Sequence, residues 1–113
     1  MKKMFLLAKK IAIKKKDRRK YKVGAVGIRN DGTIVQSSNV PCKVPEPTAH
    51  AEVRLARKLT KGSIVYIVRV NSSNELCMAR PCRNCLRVLI QKEVKRIYYS
   101  ITNEEYGVLI LNQ

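Results

Sequence analysis

Two short polar stretches constrain the fold of this chain more than any other feature of its sequence. His50 stands two positions before Glu52 in the first, and Cys82 and Cys85 form a C-x-x-C pair directly after a proline in the second. Each stretch follows a predicted loop and precedes an apolar pattern of helical spacing. We therefore expect two helices whose first turns contribute the two halves of one site.

The hydrophobic pattern predicts the element order αββαβαββ. Residues 3–16 carry apolar side chains at helical spacing with lysines on the other face. The remaining predicted elements are strands at 23–28, 33–37, 63–70, 94–100 and 108–111, a helix capped by Thr48 that runs to about Thr60, and a helix opened by Pro81. Two βα steps of this kind imply an α/β fold, a sheet covered by helices.

Two connections in this order can be assigned from their length and composition. Asn30-Asp31-Gly32 is a hairpin turn in which the glycine supplies the positive φ. About six residues separate the last two strands, whereas a parallel crossover needs a dozen or more. We therefore expect the last two strands to form an antiparallel hairpin.

The length of 113 residues is enough for one domain, residues 1–113, and too short for two. The apolar stretch of residues 4–8 is shorter than the core of a signal peptide, and nothing approaches the length of a membrane span. These features predict an intracellular, cytoplasmic protein. Without a secretory signal, its four cysteines favour metal binding or free thiols over disulfides.

The formal net charge is +16, and the basic residues crowd the N-terminal segment. A field of this kind attracts polyanions and speeds their encounter with the protein. The simpler interpretation is a solvated face that keeps the protein soluble. Because the charge is clustered, we favour a phosphate-bearing partner or substrate, and the charge alone does not distinguish a nucleotide from a polynucleotide.

One histidine and two cysteines would supply three ligands to a zinc ion. Three protein ligands leave a fourth tetrahedral position open, which is how catalytic rather than structural zinc is held, and water bound there has a pKa near 7. Cys82 and Cys85 could instead be a redox pair or half of a zinc ribbon. Cys42 and Cys77 are isolated in the sequence, so the ribbon is the weaker alternative.

Glu52 is the candidate proton carrier of the site. Residues i and i+2 do not share a helix face, so Glu52 is unsuited to gripping the same ion as His50. A carboxylate there can take a proton from water and deliver it to a ring nitrogen and a leaving amine. The alternative is a first-turn carboxylate stabilised by the helix dipole, and both roles can coexist.

These residues resemble the H-x-E…P-C-x-x-C signature of the cytidine and deoxycytidylate deaminase superfamily. The resemblance covers most of the chain, from the strand and hairpin that begin at Val23 to the strand at 94–100. It implies a three-layer fold with a mixed five-stranded sheet and about three helices. It also implies Zn²⁺ bound by His50, Cys82 and Cys85.

By the same resemblance, Glu52 shuttles protons, the backbone N–H of Ala51 meets the base carbonyl, and Asn39 contacts the sugar. Asn39 could equally be an ordinary turn residue. Arg80 stands where many members have a small Ser or Thr, and its guanidinium suits a phosphate. The loop at 40–48 has no further histidine for a second zinc ion.

The signals for subfamily conflict. The final hairpin resembles the nucleoside cytidine deaminases, whereas His50 resembles the deoxycytidylate and tRNA-adenosine branches. The first hypothesis is conversion of cytosine to uracil in a nucleotide or nucleoside of the dCMP or CMP type. The alternatives are deamination of cytosine or adenine in single-stranded DNA or RNA, with Tyr98 and Tyr99 as stacking platforms, and a non-catalytic zinc-stabilised nucleic-acid-binding protein. A homo-oligomer is possible.

Overall fold

The computed structural model describes residues 2–14, 22–39 and 50–111. The predictions for the rest of the first helix and for the loop at 40–47 lie outside these residues. The predicted helix cap at Thr48 is wrong, because the N-cap of that helix is His50. The elements are α1 (Lys2–Lys14), β1 (Lys22–Ile28), β2 (Ile34–Ser38), α2 (Ala51–Ala56), β3 (Ile64–Val70), β4 (Leu76–Cys77), α3 (Arg83–Gln91), β5 (Arg96–Ser100) and β6 (Tyr106–Ile110).

The strands form one mixed sheet in the order β2-β1-β3-β5-β6, with β4 paired to the end of β3. β1 is antiparallel to both β2 and β3, and β3 is parallel to β5. β5 and β6 are antiparallel, which confirms the final hairpin. The mixed α/β fold is confirmed. The parallel arrangement of β3 and β5 brings the connections that lead into α2 and α3 to one region of the sheet.

The helices cover both faces, so the fold has three layers. α1 packs on one face through Phe5, Ala8 and Ala12, against Val26 and Val68. On the other face, α2 and α3 pack against the sheet. Ala51 and Leu55 of α2 and Leu89 of α3 are buried there against Val65 of β3 and Ile97 of β5. This second face is the one that positions the candidate site.

Gly24 in β1 allows α1 to lie directly against the sheet. A Cβ at this position would collide with the carbonyl oxygen of Ala8 and lie 2.9 Å from the backbone nitrogen of Ala12. Backbone atoms of a packed helix cannot rotate aside as a side chain can, so glycine is required here by close approach.

The structure differs from the sequence prediction in one strand and in several boundaries. The structure has a strand, β4, that the sequence pattern did not predict, because two residues are too few to show a period. β6 begins at Tyr106 rather than at Val108. α2 ends at Ala56 rather than near Thr60, because the next N–H groups, of Lys58 and Leu59, bond three residues back and tighten the chain into a turn.

Among the described residues, none of the helices combines the length and the apolar character needed to cross a bilayer.

Candidate metal centre and active site

His50 occupies the N-cap position of α2. Its backbone is extended, with φ −67° and ψ 142°, and its carbonyl oxygen accepts the first helical bond from Arg54 N at 3.0 Å. The imidazole makes no capping bond to the helix. The side chain is therefore held at the start of the helix and remains exposed, which suits a ligand that an ion must reach from solvent.

Cys82 is the corresponding N-cap of α3. Its backbone is also extended, and its Sγ accepts a hydrogen bond from the backbone N–H of Cys85 at 3.5 Å. This bond holds the Cys82 sulfur at the start of α3, the end of a helix that carries partial positive charge. The two helices meet because Ala51 and Leu55 of α2 and Leu89 of α3 share one buried cluster.

The three predicted ligands converge. His50 Nδ1 lies 3.2 Å from Cys85 Sγ and 3.9 Å from Cys82 Sγ, and the two sulfurs are 3.3 Å apart. A tetrahedral zinc ion with ordinary bond lengths requires about 3.6 Å between nitrogen and sulfur and about 3.8 Å between sulfurs. Shifts of a few tenths of an ångström give that geometry, so this donor set fits Zn²⁺ with one position open.

Cys85 is buried, whereas His50 and Cys82 are exposed. Burial raises the pKa of the Cys85 thiol, and the nearby Glu52 carboxylate raises it further. A thiol in this environment keeps its proton until a cation replaces it, so metal binding at this cluster releases a proton. The alternative that Cys82 and Cys85 form a redox pair is less well supported, because the imidazole of His50 lies beside both thiols.

Glu52 lies beside the ligands, where its carboxyl group interacts with the Cys85 thiol. The residue is 7% exposed, and burial raises the pKa of its carboxyl group, while its own backbone N–H and the Cys85 thiol act in the opposite direction. A carboxyl group with a raised pKa exchanges protons more readily near neutral pH than an exposed one does. The environment is therefore suited to general acid–base chemistry and not only to a helix first turn.

A cavity of about 250 Å³ opens beside the cluster. His50, Glu52 and Cys82 contribute to its wall, as do Asn39 and Arg80. These two residues and Ala51 thus lie at the cavity beside the ligands. Asn39 is fixed in place, since its Oδ1 accepts from Val23 N at 3.1 Å and Arg54 donates to the preceding carbonyl, of Ser38, at 3.0 Å.

The structure does not bring Tyr98 to this cavity. Its ring stacks on Tyr66 at a centroid distance of 5.0 Å, within the cluster that packs against α1. That cluster is on the opposite face of the sheet from the metal ligands. The predicted contact between Tyr98 and the substrate is therefore corrected, because the alternation of side chains along β5 turns this residue away from the site.

The sequence reasoning missed Arg69, which lines the cavity from the end of β3. A signal was present, because Arg69 is the one charged residue in an otherwise apolar strand. Charged residues are seldom buried unless they are paired or functional. Its position on the site face follows from the alternation that also places Val65 and Ile67 in that core.

A second, larger cavity of about 520 Å³ lies between α1 and the β5–β6 hairpin. Phe5, Leu6, Leu76 and Tyr106 form the apolar part of its wall, and Ser100 and residues 102–105 form the polar part. Among the described residues, the only group of three or more His, Cys or acidic side chains placed to share a metal ion is His50, Cys82 and Cys85. Among the described residues, the candidate metal ligands therefore lie at the smaller cavity and not at the larger one.

A family comparison agrees with this site. The model of the cytidine and deoxycytidylate deaminase zinc-binding region matches residues 1–101. The chain therefore belongs to the cytidine and deoxycytidylate deaminase family, whose members are zinc-dependent hydrolytic deaminases. The enzyme class and the zinc cofactor expected from the sequence are confirmed.

Solved structures show the same fold. The cytidine deaminase of Burkholderia pseudomallei is similar with a TM-score of 0.68 and 20% identity, over 96% of this chain and 91% of that one. The cytidine deaminase of Mycobacterium leprae has a TM-score of 0.63 and 16% identity, over 94% and 90% of the two chains. At these identities the likeness establishes the fold, and the substrate has to be argued from this chain's own residues.

Proposed function

We propose that this chain hydrolyses the exocyclic amine of cytosine to give uracil in a free nucleotide or nucleoside, of the dCMP or CMP type. The observation that carries the proposal is the cavity of about 250 Å³ in which a buried carboxyl group, Glu52, lies beside a three-ligand zinc site. A structural zinc site would need neither the open position nor the proton carrier.

The roles of the residues follow from their chemistry. When bound by His50, Cys82 and Cys85, zinc supplies a Lewis acid that makes water nucleophilic at neutral pH. Glu52 accepts a proton from the attacking water and gives it to the ring nitrogen. It then takes the second proton of that water, from the hydroxyl group now on the ring carbon, and passes it to the amine that departs as ammonia. The backbone N–H of Ala51 orients the base, and Asn39 orients the sugar.

A second candidate substrate is cytosine or adenine within single-stranded DNA or RNA. The net charge of +16 favours it, because a basic surface binds a phosphate backbone. The placement of Tyr98 against α1 weakens it, since single-strand binding usually relies on aromatic platforms beside the site. We therefore rank the free nucleotide or nucleoside first.

We also propose a domain organisation, a cell compartment and an assembly state for the protein. We infer a single zinc-binding domain that acts in nucleotide metabolism in the cytoplasm. A homo-oligomer is compatible with the exposed apolar side chains Leu6 and Ile110, which are 61% and 60% exposed. Like-charge repulsion opposes close association unless the basic segment points away from the contact.

The test is a substrate panel with zinc-loaded protein. Cytidine, deoxycytidine, CMP, dCMP, AMP and cytosine-containing oligonucleotides are incubated, and the mass change from amine to carbonyl is measured. Turnover of a free cytosine nucleotide or nucleoside supports the proposal, and turnover of oligonucleotides alone supports the second candidate. Zinc and oligonucleotide binding without any product would favour the non-catalytic alternative.

A further inference from the structure

The two outer strands of the sheet are β2 and β6, and the free edge of β2 is closed by side chains. In an antiparallel pair, successive residues turn their N–H and C=O groups alternately toward the paired strand and away from it. By this alternation Gln36 and Ser38 face away from β1. The carbonyl oxygen of Gln36 accepts from Lys58 Nζ at 2.7 Å, and that of Ser38 accepts from Arg54 Nη1 at 3.0 Å. These two cations therefore occupy groups that another strand would need.

The free edge of β6 has no such cover. Leu111 N donates to Lys95 O at 3.0 Å, so the alternation turns the backbone groups of Tyr106, Val108 and Ile110 away from β5. Within residues 2–14, 22–39 and 50–111, no hydrogen bond reaches these outward groups. An edge strand in this state is a template for pairing with another chain.

The side chains of the same three residues of β6 add apolar surface to this edge. They lie on the α1 face, and 52% of Tyr106, 43% of Val108 and 60% of Ile110 is exposed. The strand contains neither a charged residue nor a proline, which are the residues that natural edge strands use against association. β6 is therefore suited to pairing and is not protected against it.

The sequence of β6 complements itself. In an antiparallel pair of identical strands, a two-fold axis at Val108 places Val108 opposite the partner's Val108 and Tyr106 opposite the partner's Ile110. The outward-facing residues are then directly opposed, so each pair exchanges both of its N–H···O bonds. The facing side chains are β-branched and aromatic, a combination that stabilises antiparallel strands.

The charges beside β6 favour the same antiparallel arrangement. Glu104 and Glu105 lie directly before the strand, whereas Lys95 and Arg96 lie beside its other end, where Arg96 pairs with Ile110. Antiparallel pairing brings the acidic end of one copy toward the basic end of the other. A parallel arrangement would instead bring like charges together, which is unfavourable.

We propose that β6 pairs antiparallel with β6 of a second copy of this chain, about a two-fold axis at Val108, so that the two sheets become one continuous sheet. A two-fold contact uses the same patch on both copies and is closed, so it does not lead to fibres. The inference concerns the sheet edge and does not depend on the deamination proposed above.

The test is sedimentation velocity of the zinc-loaded full chain over a series of concentrations. Wild type is expected to associate, and Val108→Lys should weaken the association constant by at least about tenfold, because like charges then face each other across the axis and an apolar contact is lost. The matched control is Ile34→Lys. Ile34 is also apolar, is 51% exposed and lies on β2, the edge that side chains close. This control should associate as wild type does.

A mixing experiment tests the position of the axis. Val108→Lys and Val108→Glu should each be dissociated alone, and an equimolar mixture should associate, since opposite charges then meet at Val108. Circular dichroism and zinc content like those of wild type show that each variant is folded. Variants that dissociate alone and stay apart when mixed would overturn the assigned axis. A wild type that is monomeric at every concentration, or a Val108→Lys variant that associates as tightly as wild type, would overturn the interface.

Hydrogen exchange of wild type gives an answer even if a charged variant loses its fold. The amide hydrogens of Tyr106, Val108 and Ile110 should exchange slowly in concentrated protein and rapidly after dilution to the monomer, because the partner strand supplies their acceptors. Those of Gly107 and Leu109, which face β5, should be slow in both states and serve as the internal control. Rapid exchange of the three outward amides in the concentrated sample would overturn the proposal.

Discussion

The two faces of the sheet carry cavities that differ in size and in the groups that line them. The cavity on the α1 face is about 520 Å³ and is lined by apolar side chains and by polar residues of the β5–β6 turn, whereas the cavity on the α2–α3 face is about 250 Å³. The smaller one brings together the imidazole, thiols and buried carboxyl group, together with two arginines. The larger cavity is therefore not the candidate active site. The smaller cavity is, because the reactive groups converge there.

The difference has a physical origin in the helices. On one face, α1 lies flat against β1 and β3 and contributes its side, so it offers apolar side chains to the sheet. On the other face, α2 and α3 present their N-termini to the cavity. Helix N-termini carry partial positive charge and unpaired N–H groups, and these favour thiolates and anionic ligands.

The largest effect is expected when a metal ligand is removed. Cys85→Ser should abolish stoichiometric zinc binding and lower deamination by at least about a thousandfold, because the ion provides several kcal/mol of the catalysis. Zinc content by elemental analysis and turnover of dCMP measure the two effects. Cys77→Ser is the matched control, as Cys77 is a free thiol outside the cluster. Full activity of Cys85→Ser would refute the assigned metal site.

The next largest effect is expected at the proton carrier. Glu52→Gln should keep zinc and lower kcat by about 10²- to 10⁴-fold, because the amide cannot exchange protons. Glu104→Gln is the matched control on the other face, since Glu104 lines the larger cavity. Single-turnover assays on zinc-quantified samples measure both. If Glu104→Gln abolished activity and Glu52→Gln did not, the two faces would have been assigned the wrong way round.

A smaller effect, on stability, is expected where α1 packs against the sheet. Gly24→Ala should lower the free energy of unfolding by about 1–3 kcal/mol, because the new Cβ meets the backbone of α1 and forces the helix outward. Gly107→Ala should cost less, since its Cβ would meet only the ring end of Tyr99, which is a side chain that can rotate. Urea unfolding followed by circular dichroism measures both. An equal or larger loss for Gly107→Ala would contradict the role given to Gly24.

The smallest effect is expected at the exposed apolar position Leu6 of α1. Leu6→Thr should change the free energy of unfolding by no more than about 0.5 kcal/mol and leave dCMP turnover unchanged. Unfolding curves and sedimentation velocity test this. A large loss of stability together with dissociation of an assembly would show that this side of α1 is covered by another copy of the chain.

Much of the fold could be predicted from the sequence, because its elements have clear local signatures. The lysine-backed apolar stripe defines α1, the Asn-Asp-Gly turn defines the first hairpin, and the short last connection requires antiparallel strands. β4 could not be predicted, since a two-residue strand exists only through its pairing with Arg69 and Val70. The early end of α2 likewise depends on backbone hydrogen bonds of the following turn, which no residue type in the sequence indicates.

The reactive groups could be identified from the sequence, because the spacing of His50 and Glu52 and of Cys82 and Cys85 is typical of one kind of zinc chemistry. Which other residues join them depends on the tertiary structure. Arg69 reaches the cavity and Tyr98 faces away from it, although both are on strands and both are suited to nucleotides. The reason is that the side of a sheet to which a residue points depends on strand register, and register is set by packing of the whole core.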